Sequence, residues 1–311
     1  MDGCQKRFGE NSSLRCPART RVKTKVPARR WWQFHHVILC VQILVSIASL
    51  SLPAALGLAG GMTPRKGMNN LSPVENILLG SRLEEIKSGI EKEYCSSCSN
   101  LEIKTFIFPG AGGVDELVLE LQETKPNSVV VDWKNYRGSL LTAGFDSEAV
   151  GEAIAGMVLQ NNMKSSEGVP KSIQFIGISV GAFAANAAAT IVHRELEEKK
   201  RNDSDDTCDV HLVLLDPFCG RGVFGPNYGR DNFGKHATTA LQILNTDDPV
   251  PTTNDSLPLC YCLDVTDAPE RRDFVPLPGD SMHSWPLAYF ARHYVNEDGT
   301  ILSRGTVKIV S

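Results

Sequence analysis

The run Gly177-Ile178-Ser179-Val180-Gly181 sets a serine between two glycines, each two positions away. That spacing suits a nucleophile. A serine on a sharp strand-to-helix turn has crowded backbone, and only small residues two before and two after let the chain turn and a substrate approach. The motif is weak alone, but the apolar stretch IQFIGI (173–178) precedes it and small residues follow it (Gly181, Ala182, Ala184, Ala185, Ala187, Ala188, Ala189). A serine hydroxyl attacks only when a base takes its proton, and that base needs a carboxylate to hold its tautomer. His283 fits as the base, in a loop just before a final helix. The other body histidines fit worse. His193 falls inside the Ala-rich helix, His211 opens a strand, His236 sits in a Gly-rich loop, and His293 lies in the last helix. Two carboxylates qualify: Asp216 in Leu214-Leu215-Asp216-Pro217, and Asp248 in Asn245-Thr246-Asp247-Asp248-Pro249. Either gives the chain order Ser, Asp, His, and both stay open. Acyl transfer also needs two N–H donors aimed at the oxyanion. The backbone of Val180, next to the nucleophile, supplies one. The Gly-rich loop 109–113 supplies the other, with Ala111 as the candidate.

These residues need a scaffold that gathers strand ends. Short apolar strands are expected at 103–108, 128–133, 173–178, 210–215, 241–244 and 259–265, with helices at 72–94, 147–160, 181–200 and 284–294. The first helix opens on Ser72-Pro73-Val74-Glu75, a capping box with proline in the first turn, and carries Leu79, Leu83, Ile86 and Ile90 on one face. The charged stretch 195–209 reads as a solvated helix end and loop. Continuous apolar strands separated by helices predict an α/β domain whose mostly parallel sheet is covered by helices on both faces. Ligands of such sheets bind at the carboxyl ends of the strands, where Ser179, both aspartates and the 109–113 loop all fall.

The body resembles an α/β-hydrolase of the pancreatic-lipase-like group. The resemblance rests on FPGAGG (108–113), VVVDW (129–133), IQFIGISVGAFAANAA (173–188), LVLLDP (212–217) and HSWPLAYF (283–290), spread over about 180 residues. It implies Ser179 as nucleophile, Asp216 as the acid after the next strand, and His283 as base. The NTDDPVP stretch is similar to the acid loop of more general α/β-hydrolases, which keeps Asp248 as the alternative. The chain departs from the group in several places. Residue 178 is Ile where the group usually has His, and Pro109-Gly110-Ala111 is closer to short-chain acyl thioesterases than to a His-Gly-aromatic oxyanion loop. With 28 residues after His283, no C-terminal lipid-binding β-sandwich is expected. No cysteine-bracketed lid is evident, and the Gly-rich segment 220–234 is the nearest candidate cover.

The N-terminus has a different composition. Residues 1–36 carry nine Lys/Arg against Asp2 and Glu10, a charge of +7. Residues 37–61 are apolar and uncharged, long enough to cross a bilayer, which needs about 20 residues. The expectation is a basic head (1–36), a signal peptide or uncleaved anchor (37–61), a linker with an amphipathic helix (62–100), and one α/β-hydrolase domain (101–311). The body is then secreted or membrane-anchored outside the cytosol, with Arg29-Arg30 open to an organelle address. The chain's net charge of −4 leaves −11 on residues 62–311, and an acidic body argues against nucleic acid as a partner. Six body cysteines (Cys95, Cys98, Cys208, Cys219, Cys260, Cys262) form an even set, as in a disulfide-bonded exported domain. Cys95-Ser-Ser-Cys98 lacks the second ligand pair that zinc needs, so a structural disulfide or plain thiols is expected there.

The sequence therefore predicts a serine hydrolase cleaving carboxylic esters of lipids through an acyl-enzyme, with no metal or organic cofactor. Its partner is a lipid or acyl-ester substrate, plus a membrane through 37–61 if that segment is uncleaved. An acyl thioesterase or acyltransferase is the alternative enzyme. A non-catalytic lipid-binding protein on a lipase-like scaffold is the alternative of another class.

Overall fold

The structure, a computed structural model, describes residues 73–98, 104–139, 142–164, 170–202, 208–221, 225–250, 253–294 and 304–311. The basic head and the apolar run 37–61 lie outside the described residues, as does Ile103. Among the described residues, no helix is long and apolar enough to cross a membrane.

Each apolar stretch between glycine- or proline-rich breaks forms one element. In chain order they are α1 (Pro73–Cys98), β1 (Thr105–Phe108), α2 (Glu116–Thr124), β2 (Ser128–Val130), α3 (Ala143–Lys164), β3 (Ser172–Ile178) and α4 (Ala182–Asn202). Then follow β4 (Asp209–Leu215), α5 (Tyr228–Asn232), β5 (Thr239–Leu244), β6 (Tyr261–Asp264), α6 (Trp285–Arg292) and β7 (Val307–Ile309). The strands make one seven-stranded sheet in the order β2-β1-β3-β4-β5-β6-β7. Every pairing is parallel. This is the expected α/β architecture. The register puts Phe108 beside Gly177 and Ile178 beside Leu215, so β1, β3 and β4 all end at one level.

Two apolar cores, one per face, explain why the central strands are apolar throughout. Phe106, Phe108, Phe175, Leu212 and Leu214 point into the first core, with Leu83, Ile86 and Ile90 of α1, Val150 and Ile154 of α3, and the alanines of α4. Ile107, Ile176, Val213, Leu215 and Ile243 point into the second, against Leu117, Val118 and Leu121 of α2 and Trp285, Leu287 and Ala288 of α6. Small residues let α3 and α4 nearly touch: a Cβ on Gly151 would overlap the backbone carbonyl of Ala184. Arg82 of α1 locks that helix down, donating to both oxygens of the fully buried Asp146 and to the carbonyl of Tyr136.

The structure corrects several expectations. The 128–133 stretch is a strand only to Val130, after which it turns through a 3₁₀ turn at Lys134–Tyr136. Helix α2 is an addition, started by the Asp115 side chain accepting from the Val118 N–H, and α5 and the edge strand β7 are also additions. None of Cys95, Cys208, Cys219, Cys260 and Cys262 is in a disulfide. The side chain of Cys98 lies outside the described residues. The described part of the candidate cover 220–234 is packed down: Tyr228 and Phe233 meet the ring of Phe183 at 5.6 and 5.0 Å.

Candidate active site

Ser179 stands at the turn between β3 and α4, opening a 3₁₀ turn that runs directly into the helix. Its φ is +52°, left-handed backbone that a residue with a Cβ rarely adopts. Only three described non-glycine residues have positive φ, and Asp216, at +45°, is another. Crowding at the turn explains the flanking glycines. A Cβ on Gly177 would lie 2.6 Å from the Ala182 Cα, and one on Gly181 would overlap the carbonyl of Phe108 and lie 2.6 Å from that of Pro109. A Cβ on Gly110 would sit 3.3 Å from that of Ser179, so the loop after β1 lies against the serine.

That loop is held from beneath. The indole N–H of the buried Trp133 donates to the Pro109 carbonyl at 2.9 Å, and the Gly113 N–H closes a turn onto Gly110. Ala111 is half-buried against the first core. Val180 is the second residue of the opening turn, where backbone N–H groups have no acceptor within the helix. The elbow is tied to α3 by Ser147, whose hydroxyl donates to the Val180 carbonyl and accepts from the Ala184 N–H. Helix α4 aims its N-terminus at the serine, favouring negative charge there.

Asp216 follows β4 on the neighbouring strand, with 1% of its surface exposed. Its backbone N–H donates to Ile243, and the Phe218 N–H beyond it donates to the Ser179 carbonyl at 3.1 Å. One carboxylate oxygen accepts the Asn245 backbone N–H at 3.2 Å. The other lies 3.0 Å from Nδ1 of His283. Asp248 reaches the same atom from the loop after β5, its Oδ2 2.6 Å from Nδ1. That second carboxylate is also buried and accepts from the Val250 N–H and the Thr253 hydroxyl. The two candidate acids thus converge on one imidazole.

His283 is carried in a 3₁₀ turn just ahead of α6, capped by Ser281, whose hydroxyl accepts the His283 N–H. Asn245 holds this turn: its side-chain N–H donates to the Met282 carbonyl at 3.0 Å. With Nδ1 committed to the carboxylates, Nε2 is the nitrogen left for proton exchange.

Electrostatics follow from burial and pairing. Burial opposes charge on His283, but the two hydrogen-bonded carboxylates outweigh it and raise the imidazole from 6.5 to about 9. Burial pushes Asp216 up to about 7, against the pull of His283. At Asp248 burial works the same way, yet the bonds from His283, Val250 and Thr253 prevail and hold it below the ordinary carboxylate value. The donor atoms of Asp216, Asp248 and His283 lie within 4.8 Å of one another, the one cluster among the described residues compact enough for a metal ion. In the structure Nδ1 of His283 bonds to both carboxylates.

Of the residues singled out in the sequence, the structure joins Asp216, Asp248 and His283 by hydrogen bonds, and among the described residues none joins Ser179 to the imidazole; Trp133, Ser147, Asn245 and Thr253 were not singled out. Asn245 alone carried a signal, as the first residue past β5 at the carboxyl edge. His193, His211, His236 and His293 have no part in this cluster, and Nδ1 of His211 pairs with the Thr239 hydroxyl instead. The chain matches no protein-family model and no curated protein.

Proposed function

We propose that the chain is a serine hydrolase of α/β-hydrolase type that cleaves carboxylic esters of lipids. The observation that carries this reading is the left-handed Ser179 at a strand-to-helix turn, one strand from a carboxylate that binds the Nδ1 of His283. Ser179 Oγ attacks the ester carbonyl while Nε2 of His283 takes its proton, and the oxyanion is held by the N–H groups of Val180 and Ala111. The tetrahedral intermediate collapses, the ester C–O bond breaks, and His283 returns the proton to the leaving alcohol. Water then enters through the same base, releases the fatty acid and restores the serine. Asp216, the acid that the family resemblance favours, keeps the imidazole in the tautomer with its proton on Nδ1, and Asp248 competes for that role.

Ile178 and Met282, which immediately precede the nucleophile and the base, are half-buried and apolar, which suits an acyl chain. The Pro109-Gly110-Ala111 loop favours a thioester as second substrate. The body is proposed to work outside the cytosol, reached through residues 37–61. Turnover of a triacylglycerol, a short-chain nitrophenyl ester and an acyl-CoA by wild type and Ser179→Ala tests the reading. The variant should lose at least about 10⁴-fold on every substrate that wild type turns over. Undiminished turnover by it would refute the assignment, and thioester turnover alone would favour the thioesterase.

A further inference from the structure

Ordinarily one carboxylate serves a catalytic histidine, because the imidazole has one N–H on the side away from the nucleophile. Here two do. Their Oδ2 atoms approach the same Nδ1 at 3.0 Å (Asp216) and 2.6 Å (Asp248), from the ends of adjacent strands β4 and β5.

Neither has the surroundings of a leftover. Asp216 is fixed by left-handed backbone, by the Asn245 N–H on its Oδ1, and by its own N–H on Ile243. Asp248 is fixed independently. Val250 and Thr253 donate to its carboxylate, and the Asn254 side chain donates to its carbonyl. Its neighbour Asp247 pairs with Arg271, whose other terminal nitrogen binds the Thr266 carbonyl. A buried carboxylate without a cationic or hydrogen-bonding partner is a liability, and two adjacent ones repel unless positive charge lies between them. That charge is present whenever the imidazole is doubly protonated, including when His283 takes the serine proton.

We propose that Asp216 and Asp248 act together on His283, making a Ser-His-Asp-Asp tetrad in which Asp248 is the principal partner of Nδ1. The inference rests on the reading of Ser179 and His283 as the acyl-transfer pair. The Nδ1 proton stays on the ring and is shared between the two Oδ2 atoms. The proton that moves is the one from Ser179 Oγ to Nε2, and neither aspartate accepts it. Both aspartates are positioning residues: they hold the tautomer and offset the imidazolium charge. Asp248 leads because its bond to Nδ1 is the shorter.

The test is kcat/KM against pH, with fluorophosphonate labelling, for wild type, Asp216→Asn, Asp248→Asn, the double variant and Ser179→Ala. Asparagine is isosteric and tolerates the left-handed backbone at 216, so the fold should survive. Each single variant should keep labelling, slowed about tenfold for Asp216→Asn and about 100-fold for Asp248→Asn, while the double loses about 10⁴-fold. Both singles should lower the midpoint of the acid limb, because each removes negative charge beside His283. Thr253→Val supplies a second reading if Asp248→Asn unfolds. Withdrawing a donor makes Asp248 a stronger partner, so that variant should move the limb upward. A single Asn variant equal to wild type in rate and acid limb, or an unmoved limb in Thr253→Val, overturns the tetrad and leaves an ordinary triad. Labelling that persists in Ser179→Ala would instead overturn the underlying acyl-transfer reading.

Discussion

In the proposed mechanism His283 must be neutral to take a proton, yet two buried carboxylates favour its charged form. The sign of the pH dependence follows. The fraction of free base falls as pH drops through the raised value, so kcat/KM should climb through neutrality with its midpoint near 9, not near the ordinary 6.5, and level off only above it. Stability should run the other way. His283 binds its proton more tightly in the folded chain than in the unfolded one, so its contribution is complete below 6.5 and is lost as pH rises through about 9. Asp216, raised from 3.8 to about 7, acts in the same sense over that lower window. Thermal unfolding from pH 5 to 9 should therefore show a falling Tm while kcat/KM rises, and a Tm that rises alongside activity would contradict this electrostatic account. Ser179, Asp216, Asp248 and His283 were legible in the sequence because each follows a strand or precedes a helix with a distinctive neighbour pattern. Thr253 was not, because what marks it is which side chain arrives opposite, and that is decided by tertiary packing; Asn245 was marked only by its place just past β5.

At the scale of elements, the site depends on how closely three strand ends approach. The β3–α4 turn runs under the loop after β1, and a methyl group on Gly181 has nowhere to go against the carbonyls of Phe108 and Pro109. Gly181→Ala should cost about 1–3 kcal/mol or more and displace the loop after β1, read as lower Tm together with lost turnover. Trp133→Phe is a gentler probe. It keeps the ring in the core but leaves the Pro109 carbonyl without its donor, a cost of about 1–3 kcal/mol. Its kcat should fall more than its KM rises if the loop's donors act mainly on the transition state. The long apolar strands and the Ala-rich helix were readable from periodicity and composition. Helix α2 was not, since nine residues with Leu117, Val118 and Leu121 buried give barely two turns of pattern. Strand β7 was not either: its three residues are all exposed, so it carries no burial signal.

The whole body is a sheet with a core on each face, and α1 belongs to the first of them through Leu83, Ile86, Ile90 and Tyr94. Its ion pair with the buried Asp146 is one polar anchor of that packing, beside Lys87 with Glu152, and Arg82→Ala should cost about 1.5–3 kcal/mol in thermal or urea unfolding. Because Arg82 bonds to Asp146 and Tyr136, not to Asp216, Asp248 or His283, activity of the folded variant should stay near wild type. A loss of activity without loss of stability would show that α1 does more than brace the body. The parallel sheet was legible because both faces bury side chains. The even cysteine count does not translate into pairing among the described cysteines, because Cys219 and Cys260 fill the first core as small apolar side chains. The central claim is that Ser179 is the nucleophile, and the most direct measurement is mass-spectrometric mapping of the adduct formed by a fluorophosphonate. The account predicts one modified residue, Ser179, with labelling that slows as pH falls and vanishes in Ser179→Ala. An adduct on another residue, or no adduct while ester turnover proceeds, would contradict it.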